Sequence, residues 1–185
     1  MKGSAMSAQI VEPYAEALMS LAKDTGKVDS FAEYCRSLLS VLENSEELSS
    51  FITNPLLSAE EKQGVLKRVC GDETDSYFLN FLLLLVERRR IVFLEALLNR
   101  FIALQREFKN IVLAEVTCAT NLSREQEDAI ADRVKSITGS DDIELKITVD
   151  ASLIGGVIIK VGSQVFDASL KGQLRRIGIG LMGAS

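Results

Sequence analysis

Hydrophobic residues in the first two-thirds of the chain recur at helical spacing. The first segment carries one apolar stripe, made up of Ile10, Tyr14, Leu18 and Leu21. Because proline is tolerated only in the first turn of a helix, Pro13 predicts that the firm helix begins near Glu12. Gly26 predicts its end. The second helix repeats the stripe, with Val28, Phe31, Cys35, Leu38, Leu39 and Leu42 on one face.

Capping signals divide the next stretch into four more helices. Ser45 predicts the start of a short third helix, and Ser58 with Glu61 forms a capping box that opens a fourth. Asp75 opens a fifth helix that is apolar nearly all round between residues 78 and 86, which predicts the most buried helix. The sixth helix ends near Asn110. Its predicted inward residues are Leu94, Leu97, Leu98, Phe101, Leu104 and Phe108.

After Asn110 the pattern changes to short strands. Residues 111–119 are β-rich, and 143–149 alternate apolar with polar residues. Between them, Ser123 and Gln126 form a capping box for a helix that Gly139 ends. Residues 156–161 and 164–167 predict a hairpin around Gly162-Ser163, and a last helix is predicted over about 169–182. We therefore predict an α+β fold, with an N-terminal six-helix bundle at 8–110 and a small α/β C-terminal domain at 111–185.

Composition limits the chemistry. The 185 residues contain no histidine, which excludes Ser-His-Asp and Cys-His nucleophile systems and histidine-ligated metals. The net charge of −5 and the pI of about 4.9 disfavour nucleic-acid binding. The three cysteines are widely separated and are interpreted as small buried hydrophobes. No apolar run approaches the ~20 residues of a membrane span. No cofactor and no metal are predicted.

Two features of the C-terminal part are candidate sites. Gly155-Gly156 fits a phosphate-binding turn or, without a nucleotide-binding motif around it, a tight start to a strand that requires positive φ. Aspartates fit either an acid–base or metal pair or ordinary turn and helix caps. They are Asp141, Asp142, Asp150 and Asp167.

Basic and small residues suggest surfaces instead. Arg88-Arg89-Arg90 fits a solvated complement to the helix dipole. Lys171 with Arg175 and Arg176 fits a solvated face, an anion site or a contact with an acidic protein. On the first helix, small residues alternate with large ones in Tyr14, Ala15, Ala17 and Leu18. This pattern fits bundle packing or a shallow groove for an incoming amphipathic helix.

An ordered series of motifs resembles the delta subunit of F-type ATP synthases, the oligomycin-sensitivity-conferring protein family. The series runs from about residue 10 to residue 180. Its members are Pro13-Tyr14-Ala15-x-Ala17-Leu18, Asn54-Pro55-Leu56-Leu57-Ser58, Phe81-Leu82-x-Leu84-Leu85-Val86 with Arg89, Val149-Asp150-x-x-Leu153-Ile154-Gly155-Gly156-Val157, Asp167-x-Ser169 and Gly172-x-Leu174. The stretches 78–93 and 162–165 are most similar to the cyanobacterial and plastid branch.

The resemblance implies a peripheral-stalk connector that supports proton-driven ATP synthesis without catalysis. Its N-terminal domain would bind the N-terminal helix of an alpha subunit through Tyr14, Ala17, Leu18, Asn80, Phe81 and Leu84. Its C-terminal domain would bind b-type stalk subunits through Leu153, Val165, Leu170 and Leu174. The implied location is peripheral, on the cytoplasmic face of an energy-transducing membrane such as the cyanobacterial thylakoid. The alternatives are a generic helical adaptor and a ligand-binding or enzymatic C-terminal domain that uses Asp150 and Asp167.

Overall fold

The structure, a computed structural model, describes residues 2–71, 73–140 and 142–174, with side chains from residue 9 onward. The chain divides into two compact units between Gln105 and Arg106. Each unit has its own hydrophobic core. The boundary at Asn110 that the sequence suggests stays a prediction.

Helices make up the first unit, at the positions that the apolar stripes and caps predict. Their bounds are α1 Lys2–Asp24, α2 Val28–Asn44, α3 Glu46–Thr53, α4 Ala59–Cys70, α5 Ser76–Glu87 and α6 Leu94–Lys109, with a 3-10 turn at Ile91–Phe93. The hydroxyl of Ser45 accepts from the N–H of Leu48, and the carboxylate of Asp75 accepts from that of Tyr77. Ser58 and Glu61 satisfy each other's amides as a capping box. The predicted starts of α3, α4 and α5 are therefore confirmed.

The start of α1 differs from the prediction. The helix begins at Lys2 and contains Pro13, although proline was expected only in a first turn. Proline removes one backbone hydrogen bond and crowds the carbonyl of residue 9. Because Gln9 and Pro13 are exposed, that carbonyl is accessible to water. Val11 and Ala15 are buried on the opposite side and hold the helix against the core.

Three aromatic rings form the centre of the first core. Phe31 on α2 packs edge-on against Phe78 on α5, with ring centroids 5.6 Å apart. It also contacts Phe101 on α6 at 6.5 Å. All three side chains are at most 1 % exposed. Aromatic packing thus fixes α2, α5 and α6 to one another.

Burial on α5 and α6 is less complete than their apolar residues suggest. The fifth helix is predicted to be the most buried one because residues 78–86 are apolar nearly all round, yet Leu84 within that stretch is exposed, as is Tyr77 before it. The core covers only the face that carries Phe78, Phe81 and Leu82. Phe108 was expected to point inward, but it is exposed because Gln105 is the last buried residue of α6.

The second unit is a four-stranded mixed sheet with one helix between its first two strands. Its elements are β1 Val112–Cys118, α7 Arg124–Thr138, β2 Ile143–Val149, β3 Val157–Val161 and β4 Gln164–Asp167. The strand order is β2-β1-β3-β4, with β1 and β2 parallel and the other pairs antiparallel. Alternate residues of β1 face a core that includes Val134 of α7 and Ile159 of β3. Residues 170–174 are helical, and the rest of the predicted last helix lies outside the described residues.

Glycines shape both ends of β3. Gly162 has φ +57° in the two-residue turn to β4, as the Gly162-Ser163 pattern predicts. Gly156 has φ +79°, which confirms the tight start to the strand. Gly155 needs no positive φ, but a Cβ there would lie 2.8 Å from the Cδ1 of Leu170. The pair therefore serves a turn on which the segment after β4 packs.

We expect Gly156→Ala to destabilise the C-terminal unit by about 2 kcal/mol or more, because left-handed strain of this size is combined with a clash. A Cβ at Gly156 would lie 2.4 Å from the carbonyl oxygen of Ala168. Gly162→Ala is the matched control, since φ is also positive but nothing lies within 4 Å. Hydrogen exchange of the β1 amides measures the difference. Equal losses in the two variants would contradict the close-packing role.

Candidate functional site

The candidate catalytic aspartates are occupied by local caps. The carboxylate of Asp150 accepts from the N–H of Ser152 at 2.9 Å. The carboxylate of Asp167 accepts from the N–H of Ser169 at 2.9 Å and from its hydroxyl at 2.6 Å. The Ser169 hydroxyl in turn accepts from the N–H of Gly172 at 3.0 Å. Asp142 is exposed, and Asp141 lies outside the described residues.

The pKa of Asp150 is shifted in the direction expected for a capping carboxylate. Its hydrogen bond from the Ser152 backbone, with a smaller contribution from the charge of Lys171, lowers the pKa of the carboxyl. A general acid at neutral pH requires the opposite shift. Among the described residues, no group of three or more cysteine or acidic side chains is arranged to hold a metal ion. The observed geometry assigns both Asp150 and Asp167 to turn capping.

The same caps fasten the segment after β4 to the turn before β3. The N–H of Ala168 donates to Val157 and that of Leu170 donates to Gly155, each at 3.0 Å. Ser169 between them is 1 % exposed. The glycine pair, Asp167 and Ser169 therefore form one structural unit, which we call the β3–β4 clamp. It holds Leu170 beside Gly155.

The residues that the resemblance assigns to the alpha subunit fall into two layers. Leu18 and Phe81 are buried in one hydrophobic core, and Tyr14 packs against it. Ala17, Asn80 and Leu84 are exposed. Ala15 is buried, so the alternation of small and large residues on α1 reflects two different faces of the helix. Only the exposed layer is available to a partner.

The residues assigned to the stalk are mostly exposed. Val165 is 60 % exposed, and Leu170 and Leu174 are exposed as well, whereas Leu153 is buried beneath the turn. Two further hydrophobic residues of this unit are exposed, Val149 at the end of β2 and Ile154 before β3. Ile154 is 73 % exposed and has φ +65°, a conformation that β-branched residues rarely adopt.

A cavity of about 420 Å³ adjoins Val165, and the sequence did not predict it. Helix α7 and strand β4 border it, and its apolar lining includes Val134, Ile137, Ile159 and Phe166. The sequence did place Ile137 and Val134 on one face of a helix. It gave no sign that part of this face stays uncovered by the sheet.

The basic clusters lie on the surface. Arg88, Arg89 and Arg90 are all exposed, and they follow the end of α5 as the helix dipole favours. Lys171 is exposed too, while Arg175 and Arg176 lie outside the described residues. Across the described part of the chain, no helix is long and apolar enough to cross a membrane.

Comparison with known proteins decides the family. The family model described as ATP synthase delta (OSCP) subunit matches residues 10–181. The chain belongs to this family. It is therefore a non-catalytic subunit of an ATP synthase, as the motif series suggested.

Relatives and a solved structure agree with this assignment. ATP synthase subunit delta of a Picosynechococcus species is 62 % identical over 185 residues, which is all of both chains. The subunit of Crocosphaera subtropica is 55 % identical over the same length. A chain in the cryo-EM structure of the Toxoplasma gondii mitochondrial ATP synthase hexamer has the same fold, with a TM-score of 0.74 at 23 % identity, covering 93 % of this chain and 97 % of that one.

We expect Asp150→Ala to lower the unfolding free energy of the C-terminal unit by an amount that changes with pH only in the acid range. Because the folded pKa is lowered, the cap stabilises the fold above the unfolded pKa of about 3.9, and its contribution disappears as pH falls through the folded value. The difference in unfolding free energy from the wild type should be constant between pH 5 and 8 and shrink below about pH 4. Asp150→Asn, which keeps an acceptor, should restore part of it. A difference that changes between pH 5 and 7 would instead support an acid–base role.

Proposed function

We propose that this chain is the stator connector of its ATP synthase, joining the alpha subunit N-terminus on the catalytic head to the b-type stalk subunits. The observation that carries this proposal is the pairing of family membership with two separate units. Each unit leaves hydrophobic side chains uncovered outside its own core. The functional domains proposed are 8–110 for the head and 111–185 for the stalk.

The head contact would use the uncovered side of α5 and the neighbouring part of the same core. Leu84 and Asn80 are exposed on α5, and Ala17 is exposed on α1. Leu18 on α1 and Phe81 on α5 belong to the same hydrophobic core. A small residue such as Ala17 lets a helix backbone approach closely, and an amphipathic helix anchors through a few apolar side chains. These features support a groove for the alpha N-terminal helix.

The stalk contact would use the exposed residues next to the clamp. Val165, Leu170 and Leu174 are apolar and exposed, and Val165 borders the cavity beside α7. The clamp fixes Leu170 through backbone hydrogen bonds rather than through side chains alone. A rigid apolar surface loses little conformational entropy on binding, which favours affinity.

A connector of this kind acts mechanically. Rotary catalysis exerts torque on the stator, and several moderate interfaces acting together resist it better than any one of them. The unit that would face the head has an internal brace, because Arg100 of α6 forms a two-pronged ion pair with Glu12 of α1 at 2.7 and 2.8 Å. A bidentate arginine pair is geometrically specific and keeps α1 in place.

We also propose a peripheral location on the cytoplasmic face of a thylakoid-type membrane. The cyanobacterial sources of the most similar relatives support this location.

We expect Leu84→Asp to weaken binding of the full chain to an alpha N-terminal peptide at least tenfold, because a charge would be buried without a partner at the interface, about 1.4 kcal/mol or more. Isothermal titration calorimetry measures the affinity. Val41→Asp on α2 is the control, since Val41 has an exposure of 41 % against 39 % for Leu84. Phe81→Asp is unsuitable because Phe81 is buried and the change would disrupt the core. Unaltered affinity in a folded Leu84→Asp would refute the groove.

For the stalk, Val165→Asp should reduce binding to b-type subunits at least tenfold for the same reason. Val149→Asp is the matched control, because β2 and β4 form opposite edges of the sheet and both valines are exposed. Co-purification and surface plasmon resonance with b-type cytoplasmic segments measure the effect. Equal losses from both variants would mean that the surface is assigned wrongly.

A further inference from the structure

A cavity in the first unit is lined by none of the residues assigned to a partner. Its volume is about 440 Å³, within the range of small-molecule sites. The start of α4 and the end of α5 border it, together with the 3-10 turn that follows. Its apolar lining includes Pro55, Leu57, Val86, Ile91 and Val92.

Lys62 of α4 is the unusual member of this lining. Its residue is only 6 % exposed, which is rare for a lysine without a counter-ion. Within the described residues its ammonium has neither a carboxylate at salt-bridge distance nor a hydrogen-bond acceptor. All fully buried polar side-chain atoms of the described residues do have partners. The Lys62 ammonium is therefore not fully buried, and because Lys62 lines the cavity, we place the ammonium at the cavity wall, where no described residue pairs with it.

Two further groups favour an anion at the same place. The capping box uses the N–H groups of Ser58 and Glu61, and that of Lys62 donates to Ser58. The N–H of Ala59, which also lines the cavity, has no acceptor among the described residues. The start of α4, which is the positive end of its dipole, thus borders the cavity. Arg89 adds a second cation to the lining.

One acidic residue, Glu87, also lines the cavity. It is exposed, and no ion pair with Lys62 or Arg89 exists in the described part of the chain. Glu87 would repel an incoming anion. Removing its charge therefore tests whether the cavity prefers anions.

We propose that this cavity, the Lys62 pocket, binds a carboxylate that carries a short apolar chain. The carboxylate pairs with the Lys62 ammonium and accepts from the N–H of Ala59, while its chain contacts Val86, Ile91 and Val92. A carboxylate attracts the Lys62 ammonium both by its charge and by a charge-assisted hydrogen bond, which a neutral group does not offer. The ligand is either a free small carboxylate or an acidic side chain next to apolar residues on a partner subunit.

Hexanoate is the probe, titrated into the full ¹⁵N-labelled chain at constant ionic strength. We expect saturable shifts of the Ala59, Val86 and Val92 amides with a dissociation constant on the order of 1 mM, as suits so small a ligand. Hexanamide tests the charge and acetate tests the chain, and each should bind at least tenfold more weakly. Equal binding of hexanoate and hexanamide would overturn the proposal, as would equal binding of hexanoate and acetate.

Three variants test the residues. Lys62→Met keeps the length of the stem and should weaken hexanoate binding at least tenfold. Lys67→Met, at an exposed lysine of the same helix, should leave it unchanged. Glu87→Gln should strengthen binding by removing the repulsion. Hexanoate affinity that survives Lys62→Met in a folded chain, or falls with Glu87→Gln, would contradict the assignment.

The assembled ATP synthase distinguishes the two sources. Saturation transfer to hexanoate that Lys62→Met abolishes would show an open pocket and a free carboxylate ligand. No transfer, together with reduced incorporation of Lys62→Met into the complex, would assign the carboxylate to a partner subunit. A closed pocket with normal incorporation of the variant would contradict the proposal.

Discussion

The contact of Phe31 with Phe78 and Phe101 is the interaction on which the first unit depends. It joins α2, α5 and α6 through rings that are almost completely buried. With α5 fixed by this face, its other face is left uncovered and carries Leu84. The end of α5 also forms one wall of the Lys62 pocket. The aromatic cluster therefore helps to position both candidate binding regions of the unit, the Leu84 face of α5 and the Lys62 pocket.

The second unit positions its candidate binding surface by a different interaction. Its sheet is small, and its surface is positioned by backbone hydrogen bonds and close approach in the β3–β4 clamp. Gly156 permits the approach, and Asp167 with Ser169 satisfies the polar groups that the approach buries. The aspartate in this clamp accepts hydrogen bonds that hold the turn, so its role is structural. A protein that transmits force needs this fixed geometry more than it needs a reactive group.

The prediction of elements from the sequence was successful where a signal is local. Capping boxes at Ser58 and Ser123 marked helix starts, and the Gly162-Ser163 pair marked the hairpin, because each depends on hydrogen bonds or φ values within a few residues. Pro13 gave a wrong start for α1, because a proline is tolerated inside a helix when the carbonyl of residue 9, which loses its hydrogen bond, can reach water. The exposure of Phe108 and Leu84 could not be read from the sequence, because hydrophobicity indicates a preference for burial and does not identify which segment covers the residue.

The sequence by itself determined the helix and strand order, the lack of histidine chemistry, and a motif series specific enough to indicate the family. These are properties of neighbouring residues or of their order along the chain. Only the tertiary structure decided which aspartates act as caps, which apolar residues stay exposed, and that Lys62 is mostly buried with no counter-ion among the described residues. The physical reason is that burial and pairing depend on atoms from distant segments. Pro55, Lys62 and Val92 belong to separate segments of the sequence and meet only once α4 and α5 have packed.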